Sequence, residues 1–569
     1  MLKLPSGISN FEILVNRGLY YVDRTSYIEL LENLSASYLF FLRPRRFGKS
    51  LWISILQYYY GLEHKDKFTH LFGQYYIGQN PTTLANSYMV LVFDFSGIVT
   101  HHADGIWQSF FHNVKRGIQN FLDVYQNHFS DSARQDILSQ AAPERMLGTL
   151  LTYILALKDQ KVYILIDEYD HFTNELISFQ LHEFKDIVSE DGYVRKFYEL
   201  MKTGTREGVV DRMFVTGVSP VTLDSLTSGF NISKNISLSP AFNEMMGFTE
   251  REVIDILKGL YLDHVQINDL LQELKQWYNG YLFQENGKYR IYNPDMILYF
   301  ASEYQTNGAY PSNLLDTNIS SDYSKIRQLF RIGGKEQDRF KKFEEILMEG
   351  TIGVEITQSY SFHRPFTDDD FLSLLFYMGL LTIKDLHRGG LRLEIPNEVI
   401  RQLYFKYFAQ VIEERSDLNV EAVNIRASVE ALAWENNPSP LIELIEQTLS
   451  QLSNRDWRGF DEKHVKTILV AFLYSVKIFH IKSEPEYSQQ YPDLLLRKRR
   501  PFNPPYQFMI ELKFLHKKDA QKLETVTKQA QKQLIGYFQD EELQQLAGLR
   551  AWIFVFVGTE AKIIKEIHA

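Results

Sequence analysis

The sequence predicts a multidomain α/β protein: a parallel-sheet domain first, a mainly helical stretch next, and a separate helix-flanked sheet at the end. Three observations lead there. At 569 residues the chain is too long for one hydrophobic core, and its length suggests about three or four domains. Up to about residue 245, four continuous apolar runs are separated by segments long enough for crossover helices, which implies parallel strands covered on both faces. Beyond Asn436-Asn437-Pro438-Ser439-Pro440, the clearest linker, short apolar runs resume between helical patterns. The expected divisions are 1–245, 246–365, 366–440 and 441–569.

The first run, Tyr38 to Leu42, leads into Arg43-Pro44-Arg45-Arg46-Phe47-Gly48-Lys49-Ser50, after which Leu51 to Leu56 recur at helical spacing. Strand, tight loop and helix in that order make a phosphate loop. Backbone N–H groups and the helix N-terminus would face an anion, Lys49 would reach the outer phosphates, and the Ser50 hydroxyl would ligate Mg²⁺. The expected nucleotide contacts are therefore Arg45, Arg46, Phe47, Gly48, Lys49, Ser50 and Leu51. The usual pattern is GxxxxGK[ST], and Arg43 stands where its first glycine would be; a basic turn before an amphipathic helix is the plain alternative. Upstream, Gly18 to Thr25 is aromatic and then polar, and it either walls a base pocket or packs as core.

The other three runs end on polar residues, where ligands of a parallel sheet bind. Met89 to Phe93 leads to Asp94 and Ser96, Val162 to Ile166 leads to Asp167-Glu168, and Met213 to Val215 leads to Thr216. Asp167 would hold Mg²⁺ through its water shell, and Glu168 would orient and deprotonate an attacking water. A solvated strand end is the alternative, weakened by Gly48-Lys49-Ser50 upstream. Thr216, or Ser219 after it, would sense the outer phosphate, or the segment through Gly217 and Pro220 is a plain turn.

In the middle, Thr249 and Glu252 form a capping box ahead of a helix, and a small helical lid follows. Tyr281 and Arg290 within it either touch nucleotide or pack. From Asp368 the pattern reads helix, strand, turn at His387-Arg388-Gly389-Gly390, strand, helix. That is compatible with a winged-helix-like connector.

In the last domain a buried helix from Val465 to Val476 precedes strands near 477–483, 494–496 and 507–512. An amphipathic helix through Leu523, Val526, Ala530, Leu534 and Tyr537 follows, then a strand from Trp552 to Val557. Strand alternation puts Glu511 and Lys513 on one side with Leu512 opposite. Asp493 from the adjacent strand can join Glu511 in holding a hard divalent cation, with Lys513 steering water or offsetting developing charge. Two surface acids are the plain alternative. Arg497 to Arg500 and His516 to Lys518 either contact phosphates or form solvated loops.

Composition bounds the partners. A net charge of −10 excludes coating nucleic acid by bulk charge and leaves only a local basic cleft. With no cysteine there are no disulfides or thiolate sites, so oxygen and histidine are the cation ligands and Mg²⁺ or Mn²⁺ is favoured. Met1 to Gly7 lacks the apolar stretch of a signal peptide, and the longest apolar run, Phe371 to Ile383, is short of a membrane span. The expectation is a cytoplasmic protein with no membrane partner.

Pro5-Ser6-Gly7-Ile8-Ser9, Tyr20 to Thr25, Arg43 to Ser50, Asp167-Glu168-Tyr169-Asp170 and Thr216-Gly217-Val218-Ser219-Pro220 together resemble the bacterial AAA-ATPase-like family. The likeness covers the whole first domain, and the Arg43 to Ser50 loop is highly specific to it. Trp277 to Tyr281 and Tyr292-Asn293-Pro294 resemble further signatures. The resemblance implies a P-loop ATPase that binds ATP, tolerates arginine at the first loop position, and carries a C-terminal restriction-endonuclease-like domain of the PD-(D/E)XK nuclease superfamily. Asp493, Glu511 and Lys513 match that domain's core. Glu462 matches its helical acid, Glu484 or Glu486 the acid before the aspartate, and Gln533, three after Ala530 and seven after Val526 on the expected sheet-facing flank, its helical glutamine. The implied function is ATP-controlled, Mg²⁺-dependent cleavage of DNA, or of RNA, in phage defence or mobile-element control. The alternative is a nucleotide-dependent signalling switch or scaffold whose last domain binds nucleic acid without cutting. Oligomeric state stays open; Arg206 and Arg212 either reach a neighbouring subunit's nucleotide in a homo-oligomer or are ordinary surface residues.

Overall fold

The computed structural model describes residues 2–97, 103–171, 192–220, 232–260, 262–311, 313–314, 329–330, 336–360, 366–387, 390–416, 422–452, 461–483 and 492–568. Two compact units emerge. The first comprises Met1–Thr306, Leu314–Phe343 and Thr351–Asn397; the second comprises Asn307–Asn313, Glu344–Gly350 and Glu398–Ala569.

The first unit is built on β1 (Tyr38–Leu42), β2 (Met89–Asp94), β3 (Val162–Asp167), β4 (Val210–Gly217) and β5 (Lys234–Asn235). Their order is β2-β3-β4-β1-β5, and every neighbouring pair is parallel. The four apolar runs are thus the four main strands. Every residue of β3 is buried. Its five apolar side chains contribute roughly 1.5–3 kcal/mol each, which offsets the cost of carrying Asp167 to a buried strand end. Because all strands run the same way, the loop after β1, the acids after β3 and the turn after β4 gather at one sheet end.

The expected capping box is formed. Thr249 Oγ1 accepts from Glu252 N, Glu252 Oε2 accepts from Thr249 N, and the helix Glu250–Lys258 follows. The connector-like segment holds the helix Asp368–Tyr377 and an antiparallel sheet of β6 (Thr351–Val354), β7 (Thr382–His387) and β8 (Gly390–Glu394), ordered β6-β8-β7. Arg388 and Gly389 of the expected turn lie outside the described residues.

The second unit carries β9 (Phe479–Ser483), β10 (Leu494–Lys498), β11 (Gln507–Leu515), β12 (Leu549–Val557) and β13 (Glu560–Ile567), in the order β13-β12-β11-β10-β9. Only β11 and β12 are parallel. Ala530, Leu534 and Tyr537 of the helix Leu523–Tyr537 pack on one sheet face against Met509, Ile553 and Val555. No helix among the described residues is long and apolar enough to cross a membrane.

Candidate functional site

The loop after β1 opens on a cavity of about 810 Å³. Gly48 begins the helix Lys49–Tyr60 at φ +94°, a left-handed turn that costs glycine little. The N–H groups of that helix's first turn lack intrahelical acceptors, so the loop offers donors to an anion. Arg45, Arg46, Phe47, Gly48, Lys49, Ser50 and Leu51 all line the cavity. Arg46, itself at φ +67°, pairs with Asp295 at 2.8 Å. Phe47 packs edge-on against Tyr281 and Phe283.

Arg43 takes no part in the cavity wall. Its buried guanidinium donates to the carbonyls of Leu42, Ser237 and Phe242 at 2.8–2.9 Å and lies 4.2 Å from the ring centroids of both Phe41 and Phe283. Burial pushes its pKa down to about 9. Arginine at the first loop position is therefore a strut from the loop's base to the segment after β5, not a phosphate ligand.

Lys49 is buried, and its ammonium donates to the Pro44 carbonyl at 3.1 Å across the loop. Burial lowers its pKa against the opposing pull of Glu168, Asp167 and Asp170. On the neighbouring acids, burial pushes Asp167 up to about 6, opposed first by a hydrogen bond from the Ser50 hydroxyl and then by Lys49. Glu168 lines the cavity at φ +50° and pairs with His171, Nδ1 to Oε2, at 3.1 Å. That contact leads the lowering of the Glu168 pKa, against burial and with help from Lys49 and Arg45. The Ser50 hydroxyl and the Asp167 carboxylate are a hard-oxygen pair of the kind Mg²⁺ takes.

The structure does not bring Thr216 to this cavity. Its hydroxyl donates to the Phe41 carbonyl at 2.8 Å within the sheet, and the side chain is sealed from solvent. Ser219 is sealed too, its N–H and hydroxyl both donating to Asp170 Oδ2 at 2.7 and 3.0 Å. The other Asp170 oxygen accepts from Val218 N at 3.0 Å. A Cβ on Gly217 would sit 2.2 Å from Asp170 Oδ1, so glycine is required there. Glu168 thus lines the cavity, Asp167 lies buried beside it against the Ser50 hydroxyl without lining the wall, and Asp170 fastens the turn after β4. Of the residues the sequence left open, Tyr20 and Tyr21 line the cavity, while Tyr281 is fully buried and Arg290 donates to Gly280 O and Glu394. Arg212 lies beside Tyr163 at the start of β4, at the sheet end opposite the loop.

In the second unit, strand alternation and the β10–β11 register assemble a second cluster. Lys513 Nζ lies 2.9 Å from Glu511, 3.5 Å from Asp493 and 3.4 Å from Glu462. Asp493 is further fixed by the Leu512 N–H, which donates to its Oδ2 at 2.8 Å. Asp461 caps the helix Glu462–Val476, which puts Glu462 in its first turn. Burial, then Asp493, pushes Glu511 up to about 7, with Lys513 opposing. Burial works against the Lys513 ammonium, but the three carboxylates together raise its pKa. Glu511 Oε2 is buried and has no hydrogen-bond partner among the described residues. Such an atom suits a cation. Among those residues no set of three acids or histidines forms a ready metal cage; Asp493 and Glu511 would supply two carboxylates, and water and phosphate the remainder.

Gln533 departs from its expected place. It is exposed, because Ala530, Leu534 and Tyr537 take the sheet-facing positions of that helix. Tyr537, predicted only as core, feels Glu511 and Asp493, and burial foremost pushes its pKa up to about 12. Arg499 is buried, donating to Lys477 O, so it is not part of a solvated basic loop. Glu484 and Glu486 lie outside the described residues. His171 was legible only as a spacing, three residues after Glu168.

Comparison with known proteins bears on the two domains. The family model described as predicted AAA-ATPase matches residues 5–227, and the one described as PD-(D/E)XK nuclease superfamily matches residues 460–566. An uncharacterized protein in the vnfD 5′ region of Azotobacter chroococcum mcd 1 is 27% identical over 318 residues, 52% of this chain and 52% of that protein. The chain therefore spans about half the length of that curated relative. The Walker-type ATPase paby2304 of Pyrococcus abyssi matches at a TM-score of 0.33 and 13% identity, over 71% of this chain and 98% of that one. A likeness that slight carries no argument. The two family matches do: this chain joins an AAA-ATPase-like domain at residues 5–227 to a domain of the PD-(D/E)XK nuclease superfamily at residues 460–566.

Proposed function

We propose that the chain hydrolyses ATP in the cavity beside Lys49 and that nucleotide state controls a Mg²⁺-dependent phosphodiesterase at Asp493, Glu511 and Lys513, acting on DNA or RNA. The observation that carries this reading is the cluster around Lys513, where an ammonium stands within 3.5 Å of three carboxylates and one carboxylate oxygen is left without a partner among the described residues. Surface acids have no reason to be buried in this way.

In the first unit Lys49 and the loop N–H groups bind the phosphates, and Tyr20 and Tyr21 offer an aromatic wall to the base. Glu168 orients water and takes its proton as the water oxygen bonds to the γ-phosphorus. The bond to the β–γ bridging oxygen breaks, and its electron pair leaves with ADP. Mg²⁺, when held by Ser50 and Asp167, would offset charge on the outer phosphates. In the second unit Asp493 and Glu511 would hold a divalent cation that polarises the scissile phosphate, and Lys513 orients the attacking water or stabilises developing charge.

An ATP-controlled cutter suits phage defence or mobile-element control, in the cytoplasm where ATP and nucleic acid meet. The divisions near 245, 365 and 440 and a homo-oligomeric state belong to the same proposal. The test is nuclease activity on linear, circular and single-stranded substrates with Mg²⁺ or Mn²⁺, with and without ATP. Cleavage lost in Glu511→Ala and ATP turnover lost in Lys49→Ala are the expected results. Absence of cleavage under every condition would overturn the nuclease half.

A further inference from the structure

The cavity wall carries one imidazole for which the hydrolytic reading has no role. Nδ1 of His171 lies 3.1 Å from Glu168 Oε2, and both side chains line the cavity. The Glu168 main chain is fixed independently: its N–H donates to Asp167 Oδ1 at 3.0 Å, and its φ of +50° is one that non-glycine residues keep only where their surroundings hold them. That anchors the backbone and leaves the carboxylate able to rotate about its own side-chain bonds. His171 supplies the contact that fixes it.

We infer that His171 is a positioning residue for ATP hydrolysis: through Nδ1–H donated to Oε2, it holds the Glu168 carboxylate so that Oε1 is presented to the attacking water. The inference rests on the hydrolase reading and deepens it. A base displaced by about 1 Å loses rate on the order of a hundredfold, so fixing one carboxylate oxygen of Glu168 matters to turnover. Its field matters as well. Lys49 and Arg45 face the same carboxylate, and Asp167 precedes it, so an unanchored Glu168 would be drawn toward Lys49 and away from the water.

Side-chain geometry supplies a sharp test. The amide nitrogen of asparagine reproduces a donor at Nδ1, whereas that of glutamine reproduces one at Nε2. Steady-state ATP hydrolysis by the full chain is measured for wild type, His171→Ala, His171→Asn and His171→Gln, with ADP affinity titrated in parallel. His171→Ala should lower kcat roughly 10- to 100-fold with KM and ADP affinity nearly unchanged, His171→Asn should recover most of the loss, and His171→Gln should not. Unchanged or raised kcat in His171→Ala, a loss confined to KM, failure of asparagine to recover, or equal recovery by glutamine each overturns the inference. A wild-type chain that hydrolyses no ATP overturns the hydrolase reading itself, which is a different failure.

Discussion

Lys513 Nζ lies 2.9 Å from one oxygen of Glu511, while the other oxygen of that carboxylate is buried with no partner among the described residues. Burial lifts its pKa from 4.5 to about 7, so between those values the folded chain keeps a proton that the unfolded chain has released. This group's contribution to the stability of the metal-free unit therefore falls as pH rises through that window. A divalent cation needs the ionised form and reverses the trend. Thermal melts should show Mg²⁺ raising Tm more near pH 8 than near pH 6. Glu511→Gln should abolish that response and cleavage together, and leave the metal-free protein at pH 8 more stable by on the order of 1–3 kcal/mol.

That pairing was legible because strand side chains alternate, so Glu511 and Lys513 had to share a face once the stretch was read as a strand. The strands β1 to β4 were legible for a related reason: strands buried on both faces are apolar throughout. β5 was not, since Lys234–Asn235 is too short to show any pattern, and β13 is a half-polar strand at the sheet edge. Gln533 was misplaced because its spacing, three after Ala530 and seven after Val526, suggests the sheet-facing flank, whereas its neighbour Leu534, four after Ala530, takes the buried position. The strut role of Arg43 depends on carbonyls at Ser237 and Phe242, and nothing local in the sequence brings those to it.

That strut gives the second prediction. Arg43→Gly restores the common loop pattern but removes the guanidinium donor from the Ser237 carbonyl and one of two donors from the Phe242 carbonyl, along with a guanidinium packed against two rings. It should destabilise the first unit by about 3–5 kcal/mol, and Arg43→Lys, which keeps the charge but not the fork, by about half as much. Urea unfolding checks both values. A glycine variant as stable as wild type would show that the strut contributes nothing.

Asp167 gives the third. Held up to about 6 chiefly by burial, it is protonated below that pH and ionised above it. A carboxylate that must hold Mg²⁺ cannot do so while protonated, so the Mg²⁺-dependent part of ATP affinity should fade as pH drops through about 6. Asp167→Asn should show weak, pH-independent affinity instead. Titrations of ATP with and without Mg²⁺ from pH 5 to pH 8 measure both; an unchanged magnesium effect at pH 5 would remove Asp167 from the metal's shell.

Glu168 and Asp170 stand two residues apart on the same strand end, and the structure gives them opposite tasks. Glu168 is about one-third exposed in the cavity and pairs only at a partly solvated position, so Glu168→Gln should move stability by less than about 1 kcal/mol. It should cost at least about a hundredfold in kcat while leaving ATP binding intact. Asp170 is sealed and accepts three hydrogen bonds from Val218 and Ser219. An asparagine at that position would have one acceptor oxygen and would turn an N–H₂ toward another N–H, so Asp170→Asn should cost about 2–3 kcal/mol of stability. Its kcat should fall only as far as the turn after β4 loosens. Measuring unfolding and turnover on both variants separates the roles, and equal stability losses in the two would show that the division between cavity acid and structural acid is wrong.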